Sequence, residues 1–133
     1  MIEINEISPE IANDYLHTDA ILIDVRENHE VAQVAFDMPN VLNIPYSSFD
    51  DNYLDIAKDK KLIIACHLGI RSLRVAQFLV LQGWNVENVF SLQGGISNWE
   101  YEKLPVKIAP RIFSMIKPTN TGCCGGSSTG SCC

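Results

Sequence analysis

The chain has 133 residues, 47% hydrophobic and 20% charged, a size and balance that suit one compact domain with its own core. Its net charge is −6, and the first 102 residues hold all 16 acids against six of the ten bases, which argues against a nucleic-acid-binding surface. No apolar run approaches the ~20 residues of a membrane helix and the acidic opening MIEINEISPE is unlike a signal peptide, so a cytoplasmic, reducing setting without structural disulfides is expected.

In chain order, MIEIN alternates like a short strand, and SPEIANDYL predicts a helix with Ser8 as N-cap and Pro9 at its first position. AILIDV, residues 20 to 25, is a continuous apolar run through Asp24, the pattern of a central strand covered on both faces. RENHEVAQVAF predicts a helix, NVLNIP a short strand stopped by Pro45, and YSSFDDNYLDIA a loop with a helical turn or two. KLIIAC reads as a buried strand, RSLRVAQFLVLQ as a helix ended by Gly83, and NVENVFSL as a further strand. QGGISNWE holds a Gly-Gly turn and a short last helix, with Trp84 and Trp99 expected to pack inside. Pro105, Pro110 and Pro118 then interrupt regular structure, and the last dozen residues, rich in Gly, Ser and Thr, predict a flexible tail. Residues 1 to 102 thus form one domain and 103 to 133 an extension, whose four basic residues (Lys103, Lys107, Arg111, Lys117) and no acid suit a solvated linker, or a contact with the body, a membrane surface or an acidic partner. Strands alternating with helices predict an α/β fold: a mostly parallel central sheet flanked by helices on both faces, with its site at the carboxyl ends of the strands.

Cys66 stands at such an end. His67, Leu68, Gly69 and Ile70 separate it from Arg71, so the chain curls tightly from strand to helix and Gly69 lets it turn. Amides in such a curl point inward as an anion-binding nest, and the helix N-terminus adds partial positive charge. A thiol with an ordinary pKa near ~8.5 is acidified by such amides and by a cation, for which Arg71 is the candidate. A cysteine at a strand end also serves as a small hydrophobe, but the loop, glycine, arginine and following helix together favour a nucleophile held as thiolate.

CHLGIRS, followed by GWNVENVFSLQGGISNW with its Gly-Gly-x-x-x-Trp closure at 94 to 99, resembles the active-site loop and closing motif of single-domain rhodanese sulfurtransferases, and LIDVREN resembles their other signature. The likeness spans roughly residues 1 to 102, although VAQVAFDMPNVLNIP keeps only the Asn-Ile-Pro ending of that family's stretch. The resemblance implies the rhodanese-like fold and transfer of sulfane sulfur from a small-molecule donor such as thiosulfate, through a Cys66 persulfide, to a thiol or protein acceptor, in two steps. It implies neither a metal nor an organic cofactor. Other readings are a non-catalytic sulfur carrier or binding module, and a phosphatase of the cell-division-cycle type, which shares the fold. The resemblance ties six-residue loops to sulfur and seven-residue loops to phosphate; residues 66 to 71 make six.

Asp24 and Arg26 read as a structural ion pair at a strand end, His67 as a solvent-facing loop residue, and His17 and His29 as surface residues. In the tail, Cys123, Cys124, Cys132 and Cys133 form two adjacent pairs that fit a sulfur relay, a soft-metal site for Cu(I) or Zn²⁺, a lipid acceptor or an inert end. Adjacent cysteines chelate one tetrahedral ion poorly, so the zinc signal is weak.

Overall fold

The computed structural model describes residues 3–109; Cys123, Cys124, Cys132 and Cys133, together with Pro110 and Pro118, lie outside the described residues. In order, the elements are β1 (Asn5–Ile7), α1 (Pro9–Leu16), β2 (Ile21–Asp24), α2 (Asn28–Gln33), β3 (Val34–Phe36), β4 (Val41–Asn43), a 3-10 turn (Tyr46–Ser48) leading into α3 (Phe49–Asn52), β5 (Leu62–Ala65), α4 (Ile70–Leu81), a second 3-10 turn (Val86–Asn88), β6 (Val89–Leu92), α5 (Gly95–Tyr101) and β7 (Val106–Ile108). Five strands make a fully parallel sheet in the order β1-β6-β5-β2-β4, and β3 pairs with β7 in a separate antiparallel ribbon.

Side-chain alternation along the strands builds two cores, one on each face of the sheet. Leu22, Ile63, Ala65, Phe90 and Leu92 pack with Ala12 and Leu16 of α1 and with Ile96 and Trp99 of α5. Ile23, Leu62, Ile64 and Val89 point the other way, onto Phe49 of α3 and Val75, Ala76 and Leu79 of α4. Leu62, Ile63 and Ile64 are fully buried, worth roughly 1.5–3 kcal/mol each, and this anchors the strand whose end carries the cysteine. Cys66 continues the alternation of Leu62 and Ile64 and so falls on the α4 face.

Four local expectations are corrected. The first strand lies at Asn5–Ile7, because Ile7 is the residue that reaches the core and aligns with Leu92 of β6. The helix expected over RENHEVAQVAF stops at Gln33, where Val34–Phe36 turn extended to pair with Val106–Ile108; β-branched Val34 has little helical preference to lose. That pairing also gives regular structure to the stretch after Pro105, within the segment expected to be an extension. The strand expected over NVENVFSL is confined to Val89–Leu92, because the Asn85 side chain accepts from the Glu87 amide at 3.0 Å and closes a 3-10 turn before it. Trp84 and Trp99 are both buried, their indole N–H groups donating to the carbonyls of Ala57 and Pro105.

Candidate active site

Strand β5 ends in a carbonyl, that of Ala65, that accepts the Val25 amide at 2.8 Å, and the chain then curls through Cys66–Gly69 into α4. Gly69, at φ +102°, occupies the left-handed region that a side chain would resist, and it caps the helix. The curl turns donors onto the sulfur: the Gly69 amide lies 3.0 Å from Cys66 Sγ, the Ser72 amide 3.4 Å and the Ser72 hydroxyl 3.6 Å. Cys66 is only 1% exposed, and that burial pushes its thiol up; the hydrogen bonds from Ser72, Gly69 and Leu68 outweigh it, so the thiol is held below its ordinary value. The backbone on the far side of the loop is clamped by the Gly-Gly turn, where the Ile96 amide donates to the Cys66 carbonyl at 2.8 Å and the Ser97 amide to that of His67 at 3.2 Å.

Arg71, the candidate cation, is held in an ion pair. Its Nη1 and Nη2 donate to the two carboxylate oxygens of Glu30 at 3.0 and 3.2 Å, tying the loop to α2. The Glu30 hydrogen bond raises the Arg71 pKa against the opposing effect of burial, and the charges of Glu30 and Cys66 add to it. The guanidinium therefore feels the sulfur electrostatically while its donors serve Glu30. On the other side of the pair, the Arg71 hydrogen bond holds Glu30 down from an ordinary 4.5 to about 2. A carboxylate depressed on folding stabilises the protein above its unfolded value, and that contribution disappears as pH falls through the folded one. Glu30→Gln is thus expected to cost about 1 kcal/mol at pH 6, after allowance for the part-exposed setting of the pair, and only a small fraction of that near pH 2. Denaturant midpoints of the two proteins at both pH values check this; a gap that persists at low pH would sink it.

Asp24 and Arg26 form a pair on the loop behind the site, both 1% exposed. Oδ1 accepts from the Arg26 amide at 3.1 Å and Nε at 3.0 Å, Oδ2 from Nη2 at 2.8 Å, and Nη2 also donates to the Val34 carbonyl at 2.7 Å. His67, Leu68 and Ile70 are exposed around Cys66, and His17 and His29 lie on the surface. Beside α4 opens a cleft of about 420 Å³ lined by Tyr46, Ser47, Phe49, Asp50, Arg74, Val75 and Phe78, two of which, Phe49 and Val75, share the core cluster of Cys66. Among the described residues, no group of three His, Cys, Asp or Glu is placed to hold a metal ion, and no helix is long and apolar enough to cross a membrane.

Sequence reasoning missed Ser72 and Glu30. Ser72 follows the loop arginine directly, and a hydroxyl in the first turn of a helix behind a cysteine loop was a local signal. Glu30 carried no such signal, since its meeting with Arg71 depends on how α2 packs.

The rhodanese-like domain family model matches residues 8–102. Thiosulfate sulfurtransferase GlpE of Actinobacillus succinogenes is 38% identical over 109 residues, covering 78% of this chain and 91% of its own. A putative sulfurtransferase of Bacillus subtilis, YtwF, is 34% identical over 106 residues, 78% of this chain and 98% of its own. The crystal structure of a rhodanese-related protein from Thermoplasma volcanium superimposes with a TM-score of 0.68 at 28% identity, covering 77% of this chain and 97% of that one.

Proposed function

The chain belongs to the rhodanese-like domain family, and from that premise we propose that it is a sulfurtransferase carrying sulfane sulfur on Cys66 as a persulfide. The observation that supports this reading is the convergence of the Gly69 and Ser72 amides and the Ser72 hydroxyl on one buried sulfur. Such donors keep the thiolate available at neutral pH, and fixed dipoles stabilise the negative charge as it moves to the outer sulfur of a persulfide. The Cys66 thiolate attacks the outer sulfur of a donor such as thiosulfate, the donor's S–S bond breaks, and its electron pair leaves on sulfite. In the second step a thiophilic acceptor bonds to the outer sulfur and the electron pair of the S–S bond returns to Cys66 Sγ, which restores the thiolate. With the thiolate as the attacking form, neither step asks for a general base. The curl of six residues from Cys66 to Arg71 suits one added sulfur better than a tetrahedral phosphoryl group, which needs a wider ring of amides.

Leu68 and Ile70, 59% and 64% exposed on the rim of the loop, present an apolar surface to the acceptor, which favours a protein or an organic thiol over a bare anion. A thiolate nucleophile also calls for reducing surroundings, in keeping with work in the cytoplasm. The test is incubation of the full chain with thiosulfate, followed by peptide mass mapping. A peptide containing Cys66 that is one sulfur heavier, lost on adding cyanide and absent from Cys66→Ser, is the expected result. Failure of the folded wild-type protein to load Cys66 would overturn the proposal.

A further inference from the structure

Ser91 lies in the middle of β6, among Val89, Phe90 and Leu92, and like them it is buried. Its register partner in β5 is Ile64, and strand alternation sends its side chain, like that of Val89, toward α4. There its Oγ lies 2.8 Å from Ser72 Oγ, and Ser72 Oγ lies 3.6 Å from Cys66 Sγ. Three polar side-chain atoms are thus linked in succession through an apolar layer: Ser91, Ser72, Cys66. A hydroxyl placed there without a partner would lose its hydration for nothing in return, and Ser72 is the partner the structure gives Ser91.

We propose that Ser91 is a positioning residue for the nucleophile, acting through Ser72 to hold a hydroxyl proton toward Cys66 Sγ. The argument is a count of protons. Each serine carries one, and a thiolate can only accept. When Cys66 is ionised, Ser72 gives its proton to the sulfur and must accept at its own oxygen, and Ser91 is the donor within reach. The chain then runs Ser91 to Ser72 to Cys66. When Cys66 is a thiol its S–H donates to Ser72, which turns its own proton to Ser91, and the chain reverses. A donor that is itself a hydrogen-bond acceptor is polarised, so the Ser72–sulfur bond strengthens when Ser91 stands behind it.

This rests on the proposed sulfur transfer for its place in the reaction, since the chain is strongest when charge sits on Sγ. In the persulfide the charge lies largely on the outer sulfur. When cyanide takes that sulfur, persulfide anion and cyanide become thiocyanate and Cys66 thiolate, and the electron pair that returns to Sγ meets the Ser72 hydroxyl already aimed at it. Ser91 therefore favours both the thiolate form of Cys66 and the departure of the thiolate.

The test is the pH profile of iodoacetamide labelling of the full chain, read at the Cys66 peptide by mass spectrometry, for wild type, Ser91→Ala, Ser91→Thr and Ser72→Ala. Ser91→Ala is expected to move the profile to higher pH and lower the neutral-pH rate about two- to tenfold, with the high-pH plateau retained. Ser72→Ala should do at least as much, and Ser91→Thr, which keeps the hydroxyl, should restore most of the rate. In single-turnover discharge by cyanide, Ser91→Ala should slow release of thiocyanate by a similar factor. A Ser91→Ala profile that overlays the wild type, or a loss that Ser91→Thr shares in full, would overturn the proposal. Labelling needs no sulfur transfer, so a shifted profile in a protein that thiosulfate cannot load would leave Ser91 in this role and remove only its place in the second step.

Discussion

Gly95→Ala is expected to dismantle the Cys66 loop, lowering the stability of the domain by about 2–4 kcal/mol and the neutral-pH reactivity of Cys66 by about tenfold or more. Gly95 opens α5 at φ +61°, and a Cβ there would meet the Cys66 carbonyl oxygen and come within 2.5 Å of the His67 carbonyl group. These are backbone atoms at the end of a fully buried strand and cannot swing aside as a long side chain can. To admit the methyl, the turn must lift off, which breaks the Ile96 and Ser97 amide bonds to the Cys66 and His67 carbonyls. The amides aimed at the sulfur from the other side of the same curl lose their alignment with it. Gly83→Ala is the control, because Gly83 also has a positive φ, +117°, and the nearest atom to its Cβ would be the mobile Lys58 Nζ at 3.5 Å, an ordinary contact. Denaturant unfolding and labelling of Cys66 should show Gly95→Ala far worse than Gly83→Ala in both respects. Equal effects would mean that left-handed strain alone, and not the contact with the backbone of Cys66 and His67, governs this turn.

What could be read in the sequence was whatever depends on neighbours along the chain. KLIIAC announces a strand buried on both faces because burial on both faces removes the alternation, and Ser8-Pro9 announces a helix start because capping is local; Ser8 Oγ accepts the Ile11 amide at 3.3 Å. The curl after Cys66 was legible for the same reason, since so short a link between a strand and a helix leaves the backbone few paths and the glycine in it permits the tight turn. Pairings between distant segments were not. Arg71 could be read as the cation of the loop because it ends the curl that begins at Cys66; its partner Glu30 could not, because it arrives on α2. Ser91 looked like one polar residue in a strand, and gains a role only because β6 lies beside β5 and α4 covers both. The helix expected through Phe36 lost its last turn to a partner strand, β7, from the other end of the domain, and no window of local sequence contains both. Tertiary pairing overrode local preference there, and the same pairing carries the Val34 carbonyl to Arg26.

That contact with Arg26 leads to the largest stability effect expected of any single side chain. Asp24→Ala should cost about 3–5 kcal/mol, a large share of the 5–15 kcal/mol typical of a domain, because it leaves a guanidinium without its counter-charge in a nearly solvent-free setting. Arg26 has few alternatives: its Nη2 bond to the Val34 carbonyl and a 3.4 Å contact from Nη1 to the Glu30 carbonyl hold it in place, and its Cζ lies 5.9 Å from the Phe36 ring centre. Neutral carbonyls and a ring face solvate a cation only in part. The damage should reach the candidate site, since Asp24 is the register partner of Ala65, the residue before Cys66, and Arg26 binds the α2–β3 segment that presents Glu30 to Arg71. The pair itself is a different quantity from the cost of breaking it. Two desolvated charges gain little net over an apolar pair of similar volume, so combining Asp24→Ala with Arg26→Met should recover much of what Asp24→Ala loses. Urea unfolding followed through Trp84 and Trp99 fluorescence, with Arg26→Met alone completing the cycle, measures both terms. A loss below about 1 kcal/mol in Asp24→Ala would mean that water or a rearranged carbonyl takes over the guanidinium, and a double variant no better than the single would mean that the carboxylate's bond to the Arg26 amide, not its charge, holds the strand end in shape.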